Sequence, residues 1–304
     1  MRKTLSAIAV TLLGFFSIVT ANAADITVKN AVGEQVVPQN PKRIVVLDYS
    51  VADTIRELGE KERIVGLPNG TIMPAYLAEF NDADYVNVGT LQEPAFEKIN
   101  DLNPDLIIAS GRQQKMLDRL KEIAPVFYWQ TDFTAQYPSF QQNVLALGQI
   151  LNKEQVAKEK LAVLDEKIAN LAKLTKNQTA LLILVNESKI SVYGDTSRYA
   201  IVYGGYGFTP ADKEIKSSTH GMSVGFEYVA EKNPDYLLVV DRTAAITEKT
   251  NNAQKVLDNA IINQTKAAQN KHIVYLDSAN WYLAFGGLQS MAMMVQEVES
   301  AVKK

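Results

Sequence analysis

Cysteine is absent from all 304 residues of the chain, and histidine occurs only twice. Without disulfides the fold must rest on a core large enough to hold itself together. Without a thiol there is also no site for lipid attachment. Two histidines argue against a protein-only zinc site, which needs three or four His, Cys or acidic ligands close together. Positive charge is not in excess either: 31 Lys and Arg face 34 Asp and Glu, a net −3, which argues against a nucleic-acid partner. Apolar residues at 47% and charged residues at 21% are ordinary globular proportions, which exclude a disordered, collagen-like or polytopic membrane protein.

What is present begins with a three-part leader. Arg2 and Lys3 form a short basic start, an uncharged apolar stretch runs from Leu5 to Val19, and Ala21-Asn22-Ala23 supplies a small-x-small cleavage pattern. The apolar stretch is shorter than a membrane span, so residues 1–23 read as a secretory signal peptide cleaved after Ala23. Its removal takes two bases and no acid, moving the net charge from −3 to −5. The expected product is exported and soluble, with no membrane anchor.

Ile26 to Val37 reads as a β-hairpin turning near Val32-Gly33. Short apolar runs follow at Arg43–Leu47, Ile64–Leu67, Leu106–Ala109 and Val126–Trp129, separated by helical patterns, one of them entered through Asp48-Tyr49-Ser50 and closed by Gly59. Continuous apolar strands alternating with helices predict a mainly parallel sheet covered on both faces. From Ser139 to Leu174 there is no proline and one glycine, and apolar residues recur at Leu147, Ile150, Leu151, Val156, Leu161, Leu164, Ile168, Leu171 and Leu174. That spacing predicts one long amphipathic helix, kinked near Asn152, joining two lobes. The fold expected is α/β: a lobe over 24–138, a connecting helix over 139–174 and a second lobe over 175–304.

An internal repeat supports two lobes. Phe96-Glu97-Lys98-Ile99 leads through Asn103-Pro104-Asp105 into Leu106-Ile107-Ile108. One hundred and thirty residues on, Phe226-Glu227-Tyr228-Val229 leads through Asn233-Pro234-Asp235 into Tyr236-Leu237-Leu238. Proline stops each short helix, and a buried strand begins at once. Seven residues beyond each aspartate stands an arginine, Arg112 or Arg242, just past the carboxyl end of its strand, where open α/β sheets bind ligands. Arg198, in Thr196-Ser197-Arg198-Tyr199, follows another apolar strand. Three cleft arginines suit a multiply anionic, oxygen-rich ligand.

His220 lies in the polar loop Ser217-Ser218-Thr219-His220-Gly221, whereas His272 opens a strand and reads as structural. Tyr282 lies in Asn280-Trp281-Tyr282-Leu283-Ala284-Phe285-Gly286-Gly287, before the last helix. Gly221-Met222-Ser223-Val224-Gly225 matches the G-x-S-x-G nucleophile elbow of serine hydrolases, with His272 downstream. The polar run before it lacks the apolar strand that an elbow requires.

With these features the chain resembles the periplasmic substrate-binding proteins of ABC importers, in the class whose lobes are joined by one helix. It resembles most the binders of ferric catecholate, enterochelin-type siderophores. The resemblance implies that His220 and Tyr282 bind the iron of the siderophore complex and that Arg112, Arg198 and Arg242 bind catecholate oxygens. It also implies that Glu97 and Glu227, one per lobe, dock onto arginines of the inner-membrane permease; each is equally a helix-start glutamate. A two-catechol siderophore leaves two iron positions open for imidazole and phenolate, so tetradentate bis-catecholates are the expected ligands. The protein is then a periplasmic monomer for iron uptake, not an enzyme and without an intrinsic cofactor. A haem binder of the same fold, with His220 and Tyr282 as axial ligands, is the alternative, and a Ser223 hydrolase the alternative of another class.

Overall fold

The computed structural model describes residues 24–70, 72–216, 218, 220–247 and 249–304; the expected signal peptide, 1–23, lies outside the described residues. Strands β1 (Asp25–Asn30) and β2 (Gly33–Pro38) form the anticipated antiparallel hairpin. The Asn30 side chain anchors it, donating to the Tyr128 carbonyl and to Asn143 Oδ1 at 2.8 Å each.

The first sheet contains β3 (Ile44–Val46), β4 (Ile64–Leu67), β5 (Val86–Asn87), β6 (Leu106–Ser110) and β7 (Val126–Trp129). All are parallel, in the order β5-β4-β3-β6-β7. The chain winds outward from β3 in one direction, then crosses back to place β6 on its other side. Between β3 and β6 the winding reverses, and at such a point the strand ends part to leave a crevice. The second sheet contains β8 (Thr179–Asn186), β9 (Lys189–Tyr193), β10 (Thr209–Pro210), β11 (Met222–Val224), β12 (Tyr236–Asp241) and β13 (Ile273–Leu276). Its order is β11-β9-β8-β12-β13, with β10 beside the start of β8. Here β8, β12 and β13 are parallel; β9 runs antiparallel to β8, and β11, antiparallel to β9, runs in the β8 direction again.

The two repeats match in detail. The helices Phe96–Asp101 and Phe226–Lys232 both give way to an asparagine in the left-handed region, Asn103 at φ 44° and Asn233 at φ 41°, before the proline. Each aspartate then stitches its strand to the neighbour. Asp105 accepts from the backbone N–H groups of Lys42 and Arg43 ahead of β3, at 2.7 and 2.9 Å, and Asp235 accepts from that of Thr179 at the start of β8, at 2.9 Å.

The segment expected as one helix over 139–174 is two. Helix Gln136–Ile150 ends at Leu151, Asn152 takes φ 56°, and helix Glu154–Thr175 folds back against the first. Gly148 makes the close approach possible, since a Cβ there would stand 2.8 Å from that of Ala157. Tyr137 and Gln141 of the first helix both bond Asp165 of the second. The first helix packs with the N-terminal sheet, its Asn143 donating to the Gln130 carbonyl after β7. The connection between the sheets is therefore Glu154–Thr175, about 33 Å long at ~1.5 Å per residue rather than the roughly 50 Å of an unbroken helix.

Alternation along the strands divides the core. Val46 and Ile108 of the first sheet and Leu182 and Leu238 of the second share one continuous cluster with Leu164 and Leu171 of the connecting helix and with Trp281 and Met291. Val45 and Ile107 face a smaller outer core, as do Leu181 and Leu237. The last helix, Leu288–Val302, returns to the N-terminal sheet's helix Tyr49–Glu57. There the fully buried Asp53 accepts from the N–H groups of Gln289 (3.1 Å) and Ser290 (2.8 Å), two of the donors that a helix start leaves unpaired. Burial pushes the Asp53 carboxyl up to about 6, against the pull of those two bonds and of Arg56. Among the described residues no helix is long and apolar enough to cross a membrane.

Candidate ligand-binding site

Arg112 follows β6 at the point where the winding reverses. Its neighbour Gln113 is fully buried; Oε1 accepts from Ser110 N–H at 2.9 Å and Nε2 donates to the carbonyls of Leu91 (2.6 Å) and Leu47 (3.3 Å). One amide thus ties the end of β6 to Leu47, just past the end of β3, and the residue after Leu47 is Asp48. Asp48 caps the following helix, its Oδ1 accepting from Ser50 N–H at 2.9 Å, and its Oδ2 takes a 2.6 Å hydrogen bond from Arg112 Nη1. The ion pair spans the switch point.

Arg242 is placed in the same way in the second sheet. Asp241 at the end of β12 caps the short helix Arg242–Ile246 through Ala244 N–H, and Arg242 Nη1 donates to Asn186 Oδ1 at the end of adjacent β8, at 2.8 Å. Arg198 is set by its neighbours: buried Ser197 donates to the Gly194 carbonyl, and Tyr199 packs against Tyr193, Trp281 and Phe285. Burial pushes the hydroxyls of Tyr193 and Tyr199 up, and the Arg198 guanidinium opposes this.

All three arginines converge on Tyr282, in the last turn of helix Ser278–Leu283. Its carbonyl, one of those a helix end leaves without a partner, accepts from Arg198 Nη2 at 3.0 Å and from Arg112 Nη2 at 3.3 Å. Its phenolic oxygen accepts from Arg242 Nε at 2.7 Å. The guanidinium carbons of Arg198 and Arg242 lie 5.2 and 5.4 Å from its ring centre, within cation–π range. Beside this cluster opens a cavity of about 380 Å³, walled by Asp48, Ser50, Arg112, Trp129, Arg198 and Phe285, among others. That volume is within the range of small-molecule sites.

His220 stands apart from these contacts. It is exposed in the turn before β11, and among the described residues its imidazole has no hydrogen-bond partner. Its neighbour Gly221, at φ 73°, packs against the Tyr193 ring, which places the turn beside the tyrosines that border the arginines. His272 is structural as expected: its ring stacks on Tyr236 at 4.2 Å and Nδ1 lies 3.1 Å from the Asp235 carbonyl. The hydrolase alternative is corrected by the backbone. Ser223 is an exposed residue of the antiparallel strand β11, opposite Ser191, with no strand-to-helix elbow beneath it. Glu97 and Glu227 are exposed in the first turns of their helices, which precede β6 and β12.

Asp48, Gln113 and Asn186 complete the site, and none was anticipated as a site residue. Asp48 is legible as a helix cap, but its pairing with a residue 64 positions away has no local signature.

The family model described as periplasmic binding protein matches residues 44–279. The petrobactin-binding protein YclQ of Bacillus subtilis is 42% identical over 270 residues, 88% of this chain and 84% of that protein. Its crystal structure superposes with a TM-score of 0.89 over 92% of this chain and 99% of that one. The periplasmic catecholate-siderophore binding protein VctP of Vibrio cholerae superposes at 0.85 with 30% identity, over 91% of this chain and 100% of that one. The ferric-anguibactin-binding protein FatB of Vibrio anguillarum is 29% identical over 280 residues, 90% of this chain and 86% of that protein. With three arginines from both sheets gathered on one tyrosine, and a family match across most of its length, the chain belongs to the periplasmic binding proteins and is a binding protein rather than an enzyme.

Proposed function

We propose that this protein captures ferric catecholate siderophores, tetradentate bis-catecholates above all, and delivers them to an inner-membrane ABC permease for iron uptake. It acts as a periplasmic monomer after cleavage behind Ala23. The observation that carries the reading is the convergence of Arg112, Arg198 and Arg242 on Tyr282. Guanidinium groups present forked donors to catecholate oxygens, and ferric iron is a hard cation that seeks phenolate oxygen. In a bis-catecholate complex Tyr282 supplies a phenolate and His220 an imidazole to the two open iron positions. The hydrogen bond from Arg242 falls on the oxygen that bears the phenolate charge. The binding of petrobactin, of ferric anguibactin and of a catecholate siderophore by the three relatives supports the same ligand class. A haem-binding alternative fits the site less well, since two propionates leave one arginine without an anion. Glu97 and Glu227 are assigned to permease docking, where rim charges set register and association rate.

The test is titration of the mature protein with a ferric bis-catecholate and, separately, with hemin, followed by tryptophan quenching and the visible charge-transfer band. Tight quenching with a shifted catecholate band and a weak hemin response is the expected result. Strong hemin binding with no catecholate response overturns the ligand assignment.

A further inference from the structure

We infer that Asp48 is a specificity-determining residue that sets the charge class of the ligand, favouring bis-catecholate over tris-catecholate iron complexes. The inference rests on the ligand reading above and adds to it a residue that touches the arginines rather than the iron.

Asp48 is held rigidly. Its side chain is 6% exposed, Oδ1 accepts from Ser50 N–H and from Ser50 Oγ (2.6 Å), and Oδ2 is committed to Arg112. Among the described residues that wall the cavity or bond the three arginines, it is the one acid. Among the described residues, Arg198 and Arg242 hydrogen-bond to neutral oxygens: the Tyr282 carbonyl and hydroxyl and Asn186 Oδ1. The fixed charge of the cluster is therefore three positive less one negative, or two positive. Each catecholate brings two negative charges to iron, so a ferric bis-catecholate carries one net negative charge. A phenolate from Tyr282 raises this to two, equal and opposite to the cluster. A ferric tris-catecholate carries three and has no open position for Tyr282. It exceeds the cluster by one charge and brings that charge up to the buried Asp48 carboxylate. Asp48 is nearly buried and Arg112 only 24% exposed, so these charges are screened less than fully exposed ones, and the penalty scales with the charge of the ligand. Without Asp48 the cluster would hold three positive charges and match the tris-complex instead.

The experiment compares the affinities of the mature protein for a ferric bis(catecholamide) and a ferric tris(catecholamide), by fluorescence titration, in wild type, Asp48→Asn and Asp48→Glu. Asparagine caps helices as well as aspartate does, so the first variant should fold, and its melting curve checks this. The expected result is that Asp48→Asn shifts the bis-to-tris affinity ratio at least tenfold toward the tris-complex, while Asp48→Glu, which keeps the charge, stays within about threefold of wild type. An unchanged ratio in Asp48→Asn overturns the inference. So does an equal loss of affinity for both complexes in both variants, which would reduce Asp48 to a residue that positions Arg112. If the wild type binds neither complex, the ligand class itself is wrong and this inference falls with it. If the wild type binds and only the ratio fails to move, the ligand class stands.

Discussion

Gly287 lies so close to Asp53 that a Cβ on it would stand 2.2 Å from the Asp53 Oδ2 atom. At φ −87° the backbone of Gly287 suits any residue, so glycine is needed there for space alone. Gly287→Ala should push the last helix off Asp53 and cost about 1–3 kcal/mol, as overpacked sites do, measurable by urea denaturation. Gly287 is five residues from Tyr282, so affinity for a ferric bis-catecholate should fall as well. A variant with wild-type stability would show that the contact yields without cost.

The same carboxyl makes stability depend on pH. The Asp53 carboxyl is pushed up to about 6, mainly by burial, so the folded chain holds this proton more tightly than the unfolded chain does. The sign follows. Between about pH 4 and pH 6 the folded state binds more protons, and the Asp53 contribution to stability falls as pH rises; below that window it is neutral. Wild type should lose on the order of 2 kcal/mol more than Asp53→Asn between pH 4 and pH 7. Denaturation curves of the two proteins at several pH values test this. Parallel pH profiles would place the carboxyl in the ordinary range.

Gln113 joins the end of β6 to Leu47, just past β3, and to Leu91 in the loop after β5, through three hydrogen bonds from one buried amide. Gln113→Leu keeps most of the volume and leaves those backbone groups unpaired, at a cost of about 1–3 kcal/mol. Because Arg112 is the adjacent residue, ligand affinity should drop more than that of a surface variant of equal stability.

Tyr282→Phe separates the two jobs of Tyr282. The carbonyl still accepts from Arg112 and Arg198, while the oxygen on Arg242 is gone. Folding stability should change by less than about 1 kcal/mol. Affinity for a ferric bis-catecholate should fall at least tenfold, with a shifted charge-transfer band, and His220→Ala should act in the same direction. Unchanged affinity in both variants would rule out direct coordination of the iron.

Reversing charge at both lobes, Glu97→Arg with Glu227→Arg, should abolish uptake in cells and leave ligand titrations unchanged. Loss of binding in the purified double variant would instead assign the glutamates to their helix starts.

Much of this was legible in the chain, for physical reasons that differ by element. The Asn-Pro-Asp repeat could be read because its first two residues act locally, a left-handed asparagine and a proline that ends the helix; its aspartate instead bonds backbone far back in the chain, Lys42 and Arg43 in one copy and Thr179 in the other. At Asn152 the sequence suggested a kink but not a full reversal, because apolar residues on both sides, Ile150 and Leu151 and then Val156, preserve a helical rhythm through the turn. The three arginines could be proposed as site residues from their places after strands, whereas Tyr282 entered only through the family resemblance. The partners that fix them, Asp48, Gln113 and Asn186, are common residue types whose function comes from contacts formed only when distant strand ends meet.

The last helix carries a mechanical consequence. It belongs to the C-terminal end of the chain, yet its first turn is seated on Asp53 and Thr54 of the N-terminal half, inside a core that both sheets share. The two halves are clasped twice, once by the connecting helix and once by this return. Such a double clasp restrains how far one half can swing toward the other, so empty and loaded forms are expected to differ little in outline. A permease that distinguishes them has to sense the occupied cleft mouth itself, its charge and its exposed ligand edge, rather than a large swing of one half toward the other.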